Sequence, residues 1–165
     1  MIRRISMMVV LMCVGVGMVW NASADSKEKA SSLVGTNFQG ESINVESFYR
    51  DRKIVVINFW ETWCAPCIQE LPDLEALNQK FSSKGVVFVG VYQHSSKEKA
   101  QNMIAKAGVT YDILHDEMQS ITNHFKIFAY PTTVVLDSSM NVLRKYSGVD
   151  ADLEAFLIEQ LKSIK

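Results

Sequence analysis

Residues 54–60 read Ile-Val-Val-Ile-Asn-Phe-Trp, a nearly unbroken apolar run, and four positions later the chain reaches Cys64-Ala65-Pro66-Cys67. A run that is apolar at odd and even positions alike suits a central strand covered on both faces. Over 64–82 the spacing changes to helical, with Leu71, Leu74, Leu77, Asn78 and Phe81 on one arc. The sequence thus places a cysteine pair where a buried strand ends and a helix begins. A strand followed by a helix in this way is one step of the alternation that argues an α/β sheet.

The chemistry of the pair follows from that placement. The thiolate is the attacking species, and a free cysteine is mostly protonated at neutral pH. Unpaired backbone N–H groups and the helix dipole at a helix start favour an anion. Cys64 is therefore the candidate nucleophile. Cys67, one turn further in and less exposed, is the candidate resolving thiol, placed to attack a mixed disulfide on Cys64. Pro66 lacks an N–H, which costs little in a first helical turn. A structural zinc site wants four ligands, and no second cysteine pair exists, while His94, His115 and His124 are scattered. No metal site is expected. A copper carrier using a thiol and a histidine is the alternative for the same residues. A peroxidatic Thr-x-x-Cys arrangement is not met, because Thr62 stands two residues before Cys64.

The rest of the chain alternates strands with helices. Ile43 and Val45 read as a small hairpin strand, and 45–49 as a helical turn. Val86 to Tyr92 reads as a second buried strand after Gly85, which should close the first long helix. Ser95 or Ser96 should cap a helix that Gly108 ends. Residues 111–114 should be extended, 117–125 helical, and 132–136 and 142–146 two further strands, with Asp150 opening a last helix to Ile164. This order predicts a mixed sheet flanked by helices on both faces, with an N-terminal β-hairpin extension.

The N-terminus reads as separate. Arg3 and Arg4 precede an apolar stretch from Ile5 to Trp20, and Ala22-Ser23-Ala24 follows as a small-x-small cleavage site. That order reads as a secretory signal peptide. An uncleaved anchor is the alternative, although the stretch is shorter than the roughly 20 residues a spanning helix needs. The expected organisation is a signal peptide over 1–24, a polar linker over 25–32 and one domain over 33–165. Export would place the protein in the periplasm or another extracytoplasmic space. Cleavage would remove Cys13 and leave Cys64 and Cys67 as the only cysteines. A pair two residues apart staples almost no loop, so it reads as chemistry rather than as a structural disulfide. The balance of 17 basic and 18 acidic residues gives no sign of a nucleic-acid partner.

The stretch Asn58 to Cys67 resembles the active-site segment of the thioredoxin superfamily. Pro72 lies where that family kinks its first active-site helix, and Tyr130-Pro131-Thr132 resembles its cis-proline loop. The signal peptide, the hairpin, Glu70-Leu71-Pro72 and Leu136-Asp137 resemble more narrowly the TlpA/ResA-like exported thiol–disulfide oxidoreductases, several of which serve as reductants in cytochrome c maturation. The match spans about residues 33 to 164. The resemblance implies a thioredoxin-like fold and a redox-active Cys64–Cys67 disulfide. It also implies a cis Pro131 set against the cysteine pair, with the backbone at Tyr130 offered to a substrate strand. No organic cofactor is implied, since the cysteines carry the electrons. The implied partners are protein thiol and disulfide clients and a membrane donor that reloads the pair; the protein is expected to be a monomer. A thioredoxin-like binding module without turnover is the rival from another class. Trp60 is expected in the core and Trp63 on an exposed docking surface.

One departure from the family concerns the proton. Thioredoxin carries a buried Asp six residues before its first cysteine, and this chain has Asn58 there. An amide does not take up a proton, so Asn58 is expected as a hydrogen-bonded core amide. Glu70 is the candidate replacement. At about 100° per residue it falls between Leu77 and Phe81 on the helical wheel, inside the apolar arc. A buried carboxyl group is costly, which points to a role beside Cys67; the alternative is a Pro72 kink that turns Glu70 into solvent.

Overall fold

The computed structural model of the protein describes residues 33–164. The expected signal peptide, the expected linker and Lys165 lie outside the described residues. Seven strands among the described residues make one sheet: β1 (Val34–Thr36), β2 (Ser42–Asn44), β3 (Ile54–Phe59), β4 (Val86–Tyr92), β5 (Asp112–His115), β6 (Thr132–Asp137) and β7 (Val142–Ser147). Their spatial order is β2-β1-β5-β4-β3-β6-β7. β3 pairs parallel with β4 and antiparallel with β6, so it is hydrogen-bonded along both edges. β4 and β5 are parallel, and β6–β7 is an antiparallel hairpin. The β1–β2 hairpin extends the sheet through one antiparallel register pair, Thr36 with His115. Among the described residues five helices cover it: α1 (Val45–Tyr49), α2 (Ala65–Phe81), α3 (Lys97–Ala107), α4 (Ser120–His124) and α5 (Leu153–Ser163). This is the thioredoxin-like fold with mixed sheet and N-terminal hairpin that the sequence led us to expect.

Strand alternation divides the core in two. Ile54, Val56 and Trp60 join Cys67, Leu71 and Leu74 of α2, Ile104 of α3 and Leu157 of α5. Val55, Ile57 and Phe59 join Tyr49 of α1, Ile121 of α4 and Val134 of β6. Each fully buried large apolar side chain contributes about 1.5–3 kcal/mol relative to exposure, so β3 is held from four directions. Trp60 is fully buried, as expected.

Several boundaries differ from the sequence reading, each for a local reason. Val45 is not a strand residue: the Asn44 side chain accepts the Ser47 N–H at 3.0 Å and starts α1. Gly85 (φ 88°) does not end α2 directly, because a 3-10 turn over Ser82–Lys84 intervenes. Ser96 caps α3, while Ser95 is turned to another use described below. The extended piece expected at 111–114 is shifted by one, to β5, and Tyr111 packs with its ring 6.0 Å from Phe88. The helix expected over 117–125 shrinks to α4. Asp116 accepts the N–H groups of Ile121 (3.2 Å) and Thr122 (2.7 Å), and Gln119 at φ 57° breaks the chain ahead of the helix. Asp150 does not open the last helix either; it accepts from Arg144 at 2.7 Å and from the Asp152 N–H at 3.2 Å, and α5 begins at Leu153.

Gly35 seats the hairpin. A Cβ there would stand 2.8 Å from the Leu114 Cβ, an atom that moves only with its backbone. Gly35→Ala should therefore lower stability by about 1–3 kcal/mol, read from the urea midpoint with the slope unchanged. A midpoint equal to the parent's would mean that β1 does not sit tightly on β5.

Candidate active site

The cysteine pair sits where β3 hands over to α2. Cys64 is the N-cap of α2, in extended conformation (φ −90°, ψ 97°), and its Sγ accepts the Cys67 N–H at 3.3 Å. Sulfur thus occupies the place that a Ser or Asp oxygen takes at other helix starts. The Cys64 N–H donates to the Glu61 carbonyl at 3.1 Å, closing the turn between strand and helix. Cys64 and Cys67 are joined as a disulfide, S–S 2.03 Å. Cys64 retains 5% exposure and Cys67 none, so any incoming group meets Cys64.

Register brings the second motif to the same place. Phe59 of β3 pairs with Thr132 of β6, which sets Pro131 at the end of β3 that leads into Cys64. The Tyr130–Pro131 peptide is cis. The Pro131 carbonyl accepts the Gly148 N–H at 2.8 Å, anchoring the loop to the end of β7. Tyr130 stands edge-on to Trp63, ring centres 5.8 Å apart. Trp63 is 65% exposed and Phe128, in the same loop as Tyr130, is 91% exposed. Two large apolar rings thus lie open to solvent on the segments that flank Cys64.

Glu70 follows Cys67 by three residues on α2. It is 5% exposed, so the Pro72 kink does not turn it into solvent. Asn58 donates to Glu70 Oε1 at 2.8 Å and lies 3.4 Å from Thr133 Oγ1, while its own Oδ1 has no partner among the described residues. The two positions that the sequence treats as departure and candidate replacement are in direct contact. Burial pushes the Glu70 carboxyl up to about 7; the Asn58 hydrogen bond works against that rise, and the charges of Asp150 and Asp73 add to it. A cavity of about 410 Å³ borders Glu70 and is lined also by Asp73, Thr133, Asp150 and Glu154.

Glu61 escaped the sequence reading. It is fully buried, and its partners are neutral: Oε1 accepts the N–H groups of Gln93 (2.8 Å) and His94 (2.7 Å), and Oε2 accepts the Ser95 hydroxyl. The available signal was an acid directly after the apolar run 54–60. The histidines take separate places: His115 stacks on Tyr92 and contacts the Gln93 carbonyl, and His124 stands against Phe125. Among the described residues no group of three or more His, Cys, Asp or Glu is arranged to hold a metal ion.

Residues 26–145 match the AhpC/TSA family. The chain belongs to that family. It is 29% identical to the thiol-disulfide oxidoreductase ResA of Bacillus subtilis over 88% of this chain and 83% of that protein. Among solved structures, a thiol:disulfide interchange protein of the thioredoxin family from Chlorobium tepidum is 26% identical, with a TM-score of 0.68 over 78% of this chain and 92% of that one. A secreted Mycobacterium tuberculosis disulfide oxidoreductase shares the fold at 18% identity, with a TM-score of 0.66 over 83% of this chain and 98% of that one. With these relatives and the Cys-x-x-Cys pair at the strand–helix junction, the activity of the AhpC/TSA protein described here is thiol–disulfide exchange.

The raised Glu70 carboxyl sets a pH dependence of stability. The folded oxidised protein holds this proton up to about pH 7, whereas the unfolded chain releases it near the ordinary 4.5. Between those values the folded state binds more protons, so the contribution of Glu70 to stability falls as pH rises, by up to about 3 kcal/mol. Urea midpoints of the oxidised protein from pH 4.5 to 8 should show this decline, and Glu70→Gln should flatten it. A parent and variant that decline in parallel would place Glu70 outside the linkage.

Proposed function

We propose that the protein is an exported reductant of protein disulfides, with Cys64 as nucleophile and Cys67 as resolving thiol. The observation that carries this reading is the capping geometry at Cys64 over a buried Glu70 on the same helix face as Cys67. In the reduced protein, Cys64 thiolate attacks a client disulfide. One S–S bond breaks, a mixed disulfide forms, and a client thiolate leaves. Cys67 then attacks the Cys64 sulfur, which forms the Cys64–Cys67 disulfide and releases the second client thiolate. Two electrons pass from the pair to the client.

Glu70 is assigned the proton of Cys67. Cys67 must lose its proton before it attacks, and Glu70 lies one turn along the same buried face. With a pKa near 7 it exists in both protonation states at neutral pH, as a group that takes up and returns a proton must. The neighbouring cavity gives water a route to its carboxyl. Trp63, Tyr130 and the cis-Pro131 loop are assigned to client docking, on the strength of the exposure of Trp63 and of Phe128 in that loop and of the contact between Trp63 and Tyr130 beside Cys64.

Direction follows from the same electrostatics. A strong oxidant owes its potential to a stabilised reduced form. An ionised Glu70 beside the sulfurs opposes the thiolate, which works against the α2 dipole and leaves the reduced form less stabilised. The pair should therefore be reducing. In an oxidising compartment it needs reloading, and a membrane-bound dithiol donor suits that task. Export rests on the basic, apolar and small-residue order of 1–24, and a monomer suits a chain whose exchange needs only its own cysteines. No helix among the described residues is long and apolar enough to cross a membrane.

The test is one preparation with two readouts. Protein recovered from the extracytoplasmic fraction should have the mass of a chain beginning at Asp25, and its equilibrium with glutathione should give a potential near that of thioredoxin, about −270 mV, or below it. A membrane-bound form retaining Met1 would contradict cleavage, and a potential near about −120 mV, that of the oxidant DsbA, would contradict the reductive direction.

A further inference from the structure

We infer that Glu61 is a positioning residue for client docking: its buried carboxylate fixes the 93–95 segment, and through Gln93 and Tyr130 it holds the aromatic rim around Cys64. This rests on the reading of Trp63 and Tyr130 as the docking rim.

The connections can be followed atom by atom. Glu61 Oε1 takes two consecutive backbone N–H groups, those of Gln93 and His94, and Oε2 takes the Ser95 hydroxyl. Ser95 Oγ also accepts the Thr62 N–H at 3.0 Å and lies 2.9 Å from Thr62 Oγ1, which ties the segment back to the residue beside Trp63. From Gln93 the path continues outward: its Oε1 accepts the Tyr130 hydroxyl at 3.3 Å. Tyr130 stands edge-on to Trp63. The circuit Glu61–Gln93–Tyr130–Trp63 therefore closes within two residues of where it began, and Cys64 follows directly, its N–H on the Glu61 carbonyl.

A fully buried carboxylate whose partners are neutral is expensive to desolvate, and only strong, convergent hydrogen bonds offset that cost. The three donors come from one short loop, so the carboxylate acts as a clamp on that loop. The charge is felt at the rim: after burial, Glu61 is the next contribution that raises the Tyr130 phenol, up to about 12. The phenol thus stays a hydrogen-bond donor toward Gln93 across the pH range in which exchange runs. Burial of the core does not need this acid. Strand β3 ends at Phe59 and Trp60 is already fully enclosed.

The test separates docking from thiol chemistry. Insulin serves as a protein disulfide, with dithiothreitol as electron source, and bis(2-hydroxyethyl) disulfide serves as a small one that needs no rim. Glu61→Ala should raise KM for insulin by about tenfold, the loss of one or two net hydrogen bonds, with a far smaller effect on kcat and on the small disulfide. Glu61→Gln keeps an acceptor for the Gln93 and His94 N–H groups and should recover most of the loss. Gln93→Ala, at a half-buried loop position where folding is not at stake, should reproduce the KM effect by cutting the link to Tyr130. Equal losses on insulin and on the small disulfide, or no loss on either, would overturn the inference. If the docking rim itself is misassigned, Trp63→Ala and Tyr130→Phe will also leave the insulin KM unmoved; if only the role of Glu61 is wrong, those two variants will raise it while Glu61→Ala does not.

Discussion

The site depends on the abrupt handover from β3 to α2. β3 is buried on both faces and paired on both edges, so its end is among the most firmly fixed points of the sheet. Cys64, five residues beyond its last residue, caps the next helix, which starts at Ala65. The unpaired N–H groups of a helix start must find acceptors, and here the first acceptor is the nucleophilic sulfur itself. The same capping bond that begins the helix favours negative charge on Cys64. Sheet register then brings the cis-Pro131 loop to that end without any further device, because β6 runs antiparallel beside β3.

Two buried acids act on this junction from different sides. Glu70, one turn after Cys67 on α2, has one amide partner and a raised proton affinity, and so can hold or release a proton. Glu61 sits beside it with three donors from one loop and works as an anchor. The difference is one of hydrogen-bond supply. A carboxyl buried with a single donor and acidic neighbours favours its neutral form, as Glu70 does. The division resembles that of other sites where paired carboxyls take separate roles from their surroundings.

The fold was legible wherever burial and period agree. The run at 54–60, the helical arc over 64–82 and the strand at 86–92 each carry one unambiguous pattern, and the structure places them within a residue or two. The failures have a common physical origin. Ends set by side-chain hydrogen bonds over several residues, such as Asp116 to Thr122 or Asp150 to Arg144, leave no trace in hydrophobic period. The wheel placed Glu70 among buried side chains correctly, because rotation about α2 survives Pro72. The contact between Asn58 and Glu70 was out of reach, since it joins two elements twelve residues apart and needs their packing. Glu61 was visible as an acid at the end of an apolar strand, but its donors come from a loop more than thirty residues away.

The most direct test of the central claim is which sulfur reacts first. The protein is reduced, pulsed with limiting iodoacetamide at neutral pH, and digested, and the carboxamidomethyl group is located by mass spectrometry. A capping, marginally exposed Cys64 over an enclosed Cys67 predicts label on Cys64 at early times, with Cys67 modified only later. Early label on Cys67, or equal label on both, would contradict the assignment of Cys64 as the nucleophile at the start of α2.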